Sequence, residues 1–307
     1  MHRSGLRFVA GLVALISTLA AGLSLAATSV DDALNTDPLP HETHPASVQE
    51  LTIPSYGARL PGHIYLANGP GPHPTVVLLH GLPGAERNLD LAQALRRFGF
   101  NSVFFHYRGA WGADGDYRFT QVPEDALSVL AWLREPEQAS TLRTDPDALS
   151  ILGHSVGGFT ALAAGSRDEN LRCVVALAPA NLGVWQRWVT SDTPEVDRLL
   201  AYTDSLFMLR GLSGARFREE IAFASTELLD TEGFGPGLAG KRVMMVVGEG
   251  DTVTPAATMF DPVIEAYRED GVKDLFSLKL PGDHSFSQSR VQLTREILTW
   301  MGAECRP

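Results

Sequence analysis

The rhythm of apolar and polar positions changes three times along this chain. Residues 48–55 and 59–66 alternate, and Tyr56-Gly57 between them is a turn signal, so the pattern predicts a two-stranded hairpin. A Pro- and Gly-rich stretch follows at 68–74. Thr75-Val76-Val77-Leu78-Leu79 is then a continuous β-branched and aliphatic run, the mark of a strand covered on both faces. From there helices and strands alternate. Helical spacing over 89–98, 123–134 and 156–165 is interleaved with strand-like runs at 101–107, 149–152 and 171–177. Strands at 242–247 and 275–280, with helices at 256–268 and 290–301, continue the pattern to the end. This alternation predicts an α/β fold, a mainly parallel sheet with helices on both faces. In such sheets, active groups gather beyond the carboxyl ends of the strands.

One stretch interrupts the rhythm. Residues 181–240 have helical character, carry Trp185, Trp188, Phe207, Met208, Phe217 and Phe223, and show no convincing central strand. An insertion at a strand's carboxyl end predicts a helical lid over the active face. The alternative is a set of ordinary packing helices with core aromatics.

The amino-terminal residues read differently. Arg3 and Arg7 precede an apolar run over 8–25, and Ser24, Ala26 and Ala27 follow as small residues suited to cleavage. That layout predicts a signal peptide over 1–26, with an uncleaved anchor as the alternative. An unstructured lead-in over 27–46 and a catalytic domain over 47–304 would follow. A secreted or periplasmic location is expected, with no stable membrane anchor after processing. The net charge of −11 argues against nucleic acid or an anionic membrane surface as partner. Only Cys173 and Cys305 are present. An oxidising compartment permits a disulfide, yet Cys173 reads as a small buried hydrophobe and Cys305 as part of a loose tail.

The chemistry concentrates at strand ends. Gly153-His154-Ser155-Val156-Gly157 stops an apolar run and opens a small-residue helical stretch, the order needed to hold a serine oxygen out on a sharp turn. A serine hydroxyl is a weak nucleophile without a base, and the base needs an acid to orient it. Strand 242–247 runs into Gly248-Glu249-Gly250-Asp251, and strand 275–280 into Pro281-Gly282-Asp283-His284. The order Ser155, Asp251, His284, each beyond a buried strand, brings three groups to one sheet edge. Asp283 and Glu249 are alternatives for the acid.

These segments, with His80-Gly81-Leu82-Pro83-Gly84 and Tyr107-Arg108-Gly109, resemble the α/β-hydrolase superfamily over most of residues 48–302. The nearest branch resembles stand-alone relatives of dienelactone hydrolases and prolyl-oligopeptidase catalytic domains. The resemblance implies Ser155 as nucleophile, His284 as general base and acid, Asp251 as its orienting partner, and backbone N–H groups of Leu82 and Val156 as an oxyanion hole. Trp111, Trp185 and Trp188 are candidate substrate contacts. His154 reads as a packing residue, His80 as a brace for its loop, and Arg108 as a structural ion pair. His106 stands where many relatives carry Asp. No metal-ligand spacing or phosphate loop is present, so no cofactor is expected. The expected activity is hydrolysis of a carboxylic ester, on a small-molecule or short-peptide substrate, through an acyl-enzyme. A peptidase or amidase of the same fold, or a non-catalytic envelope binding protein, are the alternatives.

Overall fold

Eight strands share one sheet: β1 (Ser47–Ser55), β2 (Ala58–Leu66), β3 (His73–Leu79), β4 (Asn101–Phe105), β5 (Thr144–His154), β6 (Cys173–Leu177), β7 (Arg242–Gly248) and β8 (Asp274–Leu280). Their order is β1-β2-β4-β3-β5-β6-β7-β8, and only β2 runs against the others. The computed structural model describes residues 28–191 and 193–306, so the expected export signal lies outside the described residues. No helix among the described residues is long and apolar enough to cross a membrane.

The sequence pattern explains the layering. Successive strand residues point to opposite faces. Val77, Leu79, Ile151, Val174, Ala176, Val243 and Met245 therefore join one core cluster. Val76, Leu78, Leu152, Val175, Leu177, Met244 and Val246 join the other. Central β3, β4 and β6 are buried along their whole length, whereas edge strand β1 alternates and β8 is half exposed. The continuous apolar runs thus mark strands sandwiched between two helical layers.

Three expectations are corrected and one element is new. The lead-in is not wholly unstructured. Ser29 caps a helix over Val30–Asn35, whose Ala33 is buried and accepts a hydrogen bond from Arg97 Nε at its carbonyl. The helix expected over 256–268 breaks into Ala256–Met259 and Asp261–Glu269, because Pro262 cannot donate to the preceding turn. A short helix at Pro136–Thr141 was not expected. Finally, Cys173 and Cys305 form a disulfide across a separation of 132 residues. Cys173 opens β6 on the face covered by the closing helix Arg290–Glu304, and Cys305 caps that helix, so the tail is tied into the core.

The insertion after β6 is helical as expected. It includes Leu182–Ser191, Pro194–Asp204 and Gly214–Phe223. It is stitched to the loop after β4 by main-chain bonds: Trp111 N–H donates to Met208 O at 2.9 Å, Arg210 N–H to Gly109 O at 2.7 Å, and Tyr117 N–H to Arg210 O at 2.8 Å.

Replacing both cysteines by alanine removes a closed loop of 132 residues. Chain-entropy arguments give a loss of about 5 kcal/mol for a loop this long. Thermal unfolding of the double variant is expected roughly 10 °C below the wild type.

Candidate active site

Close backbone packing shapes the turn after β5. Ser155 has φ 58° and ψ −121°, in the left-handed half of the map that side chains rarely enter. Its N–H donates to Leu177 O on β6, and its carbonyl accepts from Phe159 and Ala180. The flanking glycines serve by leaving space. A Cβ on Gly153 would lie 1.8 Å from Gly157 O, and one on Gly157 would lie 2.1 Å from Leu79 O. The helix Val156–Gly165 can therefore start immediately behind the serine and press against β3.

The turn after β3 approaches the same point. A Cβ on Gly81 would lie 2.8 Å from Ser155 Cβ, so Gly81-Leu82 runs beside the serine. Val156 is the first residue of its helix, and its N–H has no carbonyl four residues back to bind. These two segments are where the oxyanion donors were expected.

Beyond β7 and β8, His284 Nδ1 lies 2.7 Å from Asp251 Oδ2. Asp251 is buried, and its other oxygen accepts from the N–H groups of Val253 and Thr254 at 2.8 and 2.9 Å. Thr254 Oγ1 stands 2.8 Å from Asp251 Oδ2 and 3.1 Å from Ala178 O. Burial pushes the Asp251 carboxyl up, but the hydrogen bond and charge of His284 and the Thr254 donors outweigh it, bringing the pKa down to about 2. The carboxylate is thus ionised and fixed. It holds the imidazole with Nδ1 protonated, which leaves Nε2 as the basic nitrogen.

Ser155 and His284 line one cavity of about 760 Å³. Leu82, Trp185 and Trp188 line it as well, so the structure brings these sequence-derived residues together. Trp111 is the exception. Its Nε1–H donates to Pro83 O at 2.7 Å and its ring stacks on His106, so it braces the loop and is absent from the cavity wall. The alternative acids are not at the imidazole. Glu249 is exposed, and the Asp283 carboxylate accepts from Ser287 N, Ser287 Oγ and Ser285 N. Arg108 forms the expected ion pairs, with Asp125 at 2.6 Å and Glu124 at 2.9 Å.

His154 does more than pack. Its Nε2 lies 2.8 Å from the carbonyl oxygen of His284, so it donates there and anchors the loop that carries the imidazole. Sequence reasoning missed this link, along with Thr254, Leu199 and Tyr202. Thr254 was legible in principle, because an Asp with Thr three residues on is a local capping pattern. Leu199 and Tyr202 carried no signal, because only the path of the insertion brings them to the cavity.

Residues 41–225 match the family described as X-Pro dipeptidyl-peptidase (S15 family). The chain belongs to that family. This S15-family chain is 29% identical over 144 residues to the 2,6-dihydropseudooxynicotine hydrolase of Paenarthrobacter nicotinovorans, covering 43% of this chain and 35% of the relative. It is 29% identical over 154 residues to esterase EstD of Thermotoga maritima, covering 46% and 35%. The matches span about a third of the length of the curated relatives. The crystal structure of 2,6-dihydroxy-pseudo-oxynicotine hydrolase superposes with a TM-score of 0.64 at 20% identity, over 86% of this chain and 69% of the other. The chain has the α/β-hydrolase fold.

Burial holds three site histidines neutral. It lowers His80 to about 4, His106 to about 3 and His154 to about 4, with neighbouring positive charges assisting. The unfolded chain protonates near the ordinary histidine value, so below about 6.5 it binds protons that the native state refuses. Stability is therefore greatest above that pH and falls as acid is added towards pH 4. Unfolding at pH 5 is expected to take up about three protons from these groups, a slope near 4 kcal/mol per pH unit, measurable by denaturant titration across pH 4–7.

Proposed function

We propose that the protein is a serine hydrolase that cleaves a carboxylic ester. One observation carries the reading: a strained serine opens onto the same cavity as an imidazole bound through Nδ1 to a buried, ionised carboxylate. In the proposed sequence, His284 Nε2 takes the Ser155 proton as Oγ attacks the ester carbon. The developing oxyanion is held by the N–H groups of Leu82 and Val156. The protonated imidazole then gives its proton to the departing alkoxide, leaving an acyl-enzyme. Water, deprotonated by the same nitrogen, attacks next and releases the acid and the free serine. Asp251 stays ionised throughout and compensates the transient positive charge on His284.

The family name supports a peptidase of the same site as a second reading, and the similarity to an esterase supports the first. We also propose export to an oxidising compartment. The three-part pattern of residues 1–26 supports this, and so does a fully buried disulfide, rare in reducing cytosol.

A fluorophosphonate probe is expected to label the wild type and not Ser155→Ala. Absence of labelling would favour a binding protein. His284→Ala is expected to lose almost all turnover. Asp251→Asn is expected to keep a measurable fraction, with kcat down by about 10⁴. With matched nitrophenyl esters and nitroanilides, the esters are expected to turn over faster, and a clear anilide preference would overturn the ester reading.

A further inference from the structure

The cavity in front of Ser155 has a chemistry of its own. Its lining is largely apolar: Trp185 and Trp188 come from the helix Leu182–Ser191, and Leu199 from Pro194–Asp204, joined by Leu82, Val253 and Pro255. Trp185 is held edge-on by Phe119 and Phe217, with ring centres at 5.9 and 5.8 Å, so this wall is rigid. The hydroxyls of Tyr202 and Thr258 are turned to main-chain carbonyls, those of Leu82 and Pro255. The two charged lining residues outside the proposed triad, Glu195 and Arg198, pair with each other at 3.6 Å, and Arg198 is 79% exposed. The buried Asp251 is already committed to His284 and Thr254.

An ionised group placed inside would meet, among the described lining residues outside the proposed triad, only the exposed Glu195–Arg198 pair, whose charges water screens, and desolvating the group is costly. A flat apolar body would instead gain contact with tryptophan faces. We propose that this site takes esters whose acyl group is uncharged and carries a ring, and discriminates against acyl groups bearing an ammonium or a carboxylate. This inference rests on the hydrolase reading above and narrows it.

The test uses purified full-length protein and p-nitrophenyl esters of one leaving group. Fluorophosphonate labelling of Ser155 is measured first, so that failure of the hydrolase reading is seen separately. Once labelling of a sample has succeeded, unlabelled enzyme of the same preparation is assayed, and kcat/KM for the hydrocinnamate ester is expected to exceed that for acetate on the order of 10²-fold, from burial of the ring. The hemisuccinate ester is expected to fall below acetate. Trp188→Ala should narrow the hydrocinnamate-to-acetate ratio by about tenfold. Acetate equal to hydrocinnamate, or hemisuccinate preferred over both, would overturn the proposal.

A separate observation concerns the turn beside the serine. Four successive carbonyls there each accept a side-chain donor. His80 O accepts from Tyr107 Oη at 3.0 Å, Gly81 O from His80 Nδ1 at 2.8 Å, Leu82 O from Tyr202 Oη at 3.4 Å, and Pro83 O from Trp111 Nε1 at 2.7 Å. Gly81 C=O and Leu82 N–H belong to one planar peptide and point opposite ways. Fixing the carbonyl fixes the donor. Because Gly81 O can only accept, His80 Nδ1 carries the proton and its Nε2 is a bare acceptor. His106 Nδ1, 3.3 Å away, must then be the donor.

We infer that His106 and Trp111, neither of which lines the cavity, are positioning residues for the Leu82 oxyanion donor. Trp111→Phe keeps the ring bulk and loses the N–H, and His106→Asn keeps a donor that His106→Ala lacks. Trp111→Phe and His106→Ala are each expected to lower kcat about tenfold with KM within about twofold, less than outright loss of an oxyanion donor costs. His106→Asn should recover part of the loss. Wild-type kcat in the folded variants, or a raised KM with kcat intact, would overturn the role.

Discussion

The whole site depends on main chain touching main chain behind Ser155. Gly153 and Gly157 permit contacts that any Cβ would prohibit, and those contacts let a helix begin where a strand has just ended. The helix then backs onto β3 and brings the Gly81-Leu82 turn within reach of the serine. Strain at a single residue, of order 1–3 kcal/mol, is sustained because the surrounding sheet leaves no alternative path. Sheet order does the rest, since the residues beyond β7 and β8 emerge at the same edge.

Much of this was legible in the chain. Uninterrupted runs such as Val243-Met244-Met245-Val246 signalled strands buried on both faces, and their alternating residues do divide between two cores. The pentapeptide at Gly153–Gly157 and the acidic and histidine loops fell at strand ends because periodicity stops there. Motif position already favoured Asp251 over Glu249 and Asp283, and the structure turns Asp283 onto Ser285 and Ser287 and leaves Glu249 exposed.

What escaped reading was set by distance in sequence. Nothing local to Cys173 announces a partner 132 residues on, at the far end of a helix. Trp111 looked like a substrate contact because it is aromatic and lies at a strand end, whereas its indole N–H is used on Pro83. His154 occupies a position defined by its neighbour Ser155, yet its bond runs to residue 284 across two strands. Side-chain purpose in such cases belongs to the tertiary path, which composition and period do not encode.

The main-chain stitches between Gly109, Trp111 and Tyr117 and the segment Met208–Arg210 have a consequence for traffic. A cap fastened by three peptide hydrogen bonds does not swing as a unit without giving them up together. Passage of reactant and product then falls to rotation of a few mouth side chains, such as the exposed Arg198 and the half-exposed Tyr202. Such rotations take nanoseconds or less, far faster than domain hinging. The portal is therefore a standing window whose width is set by its frame.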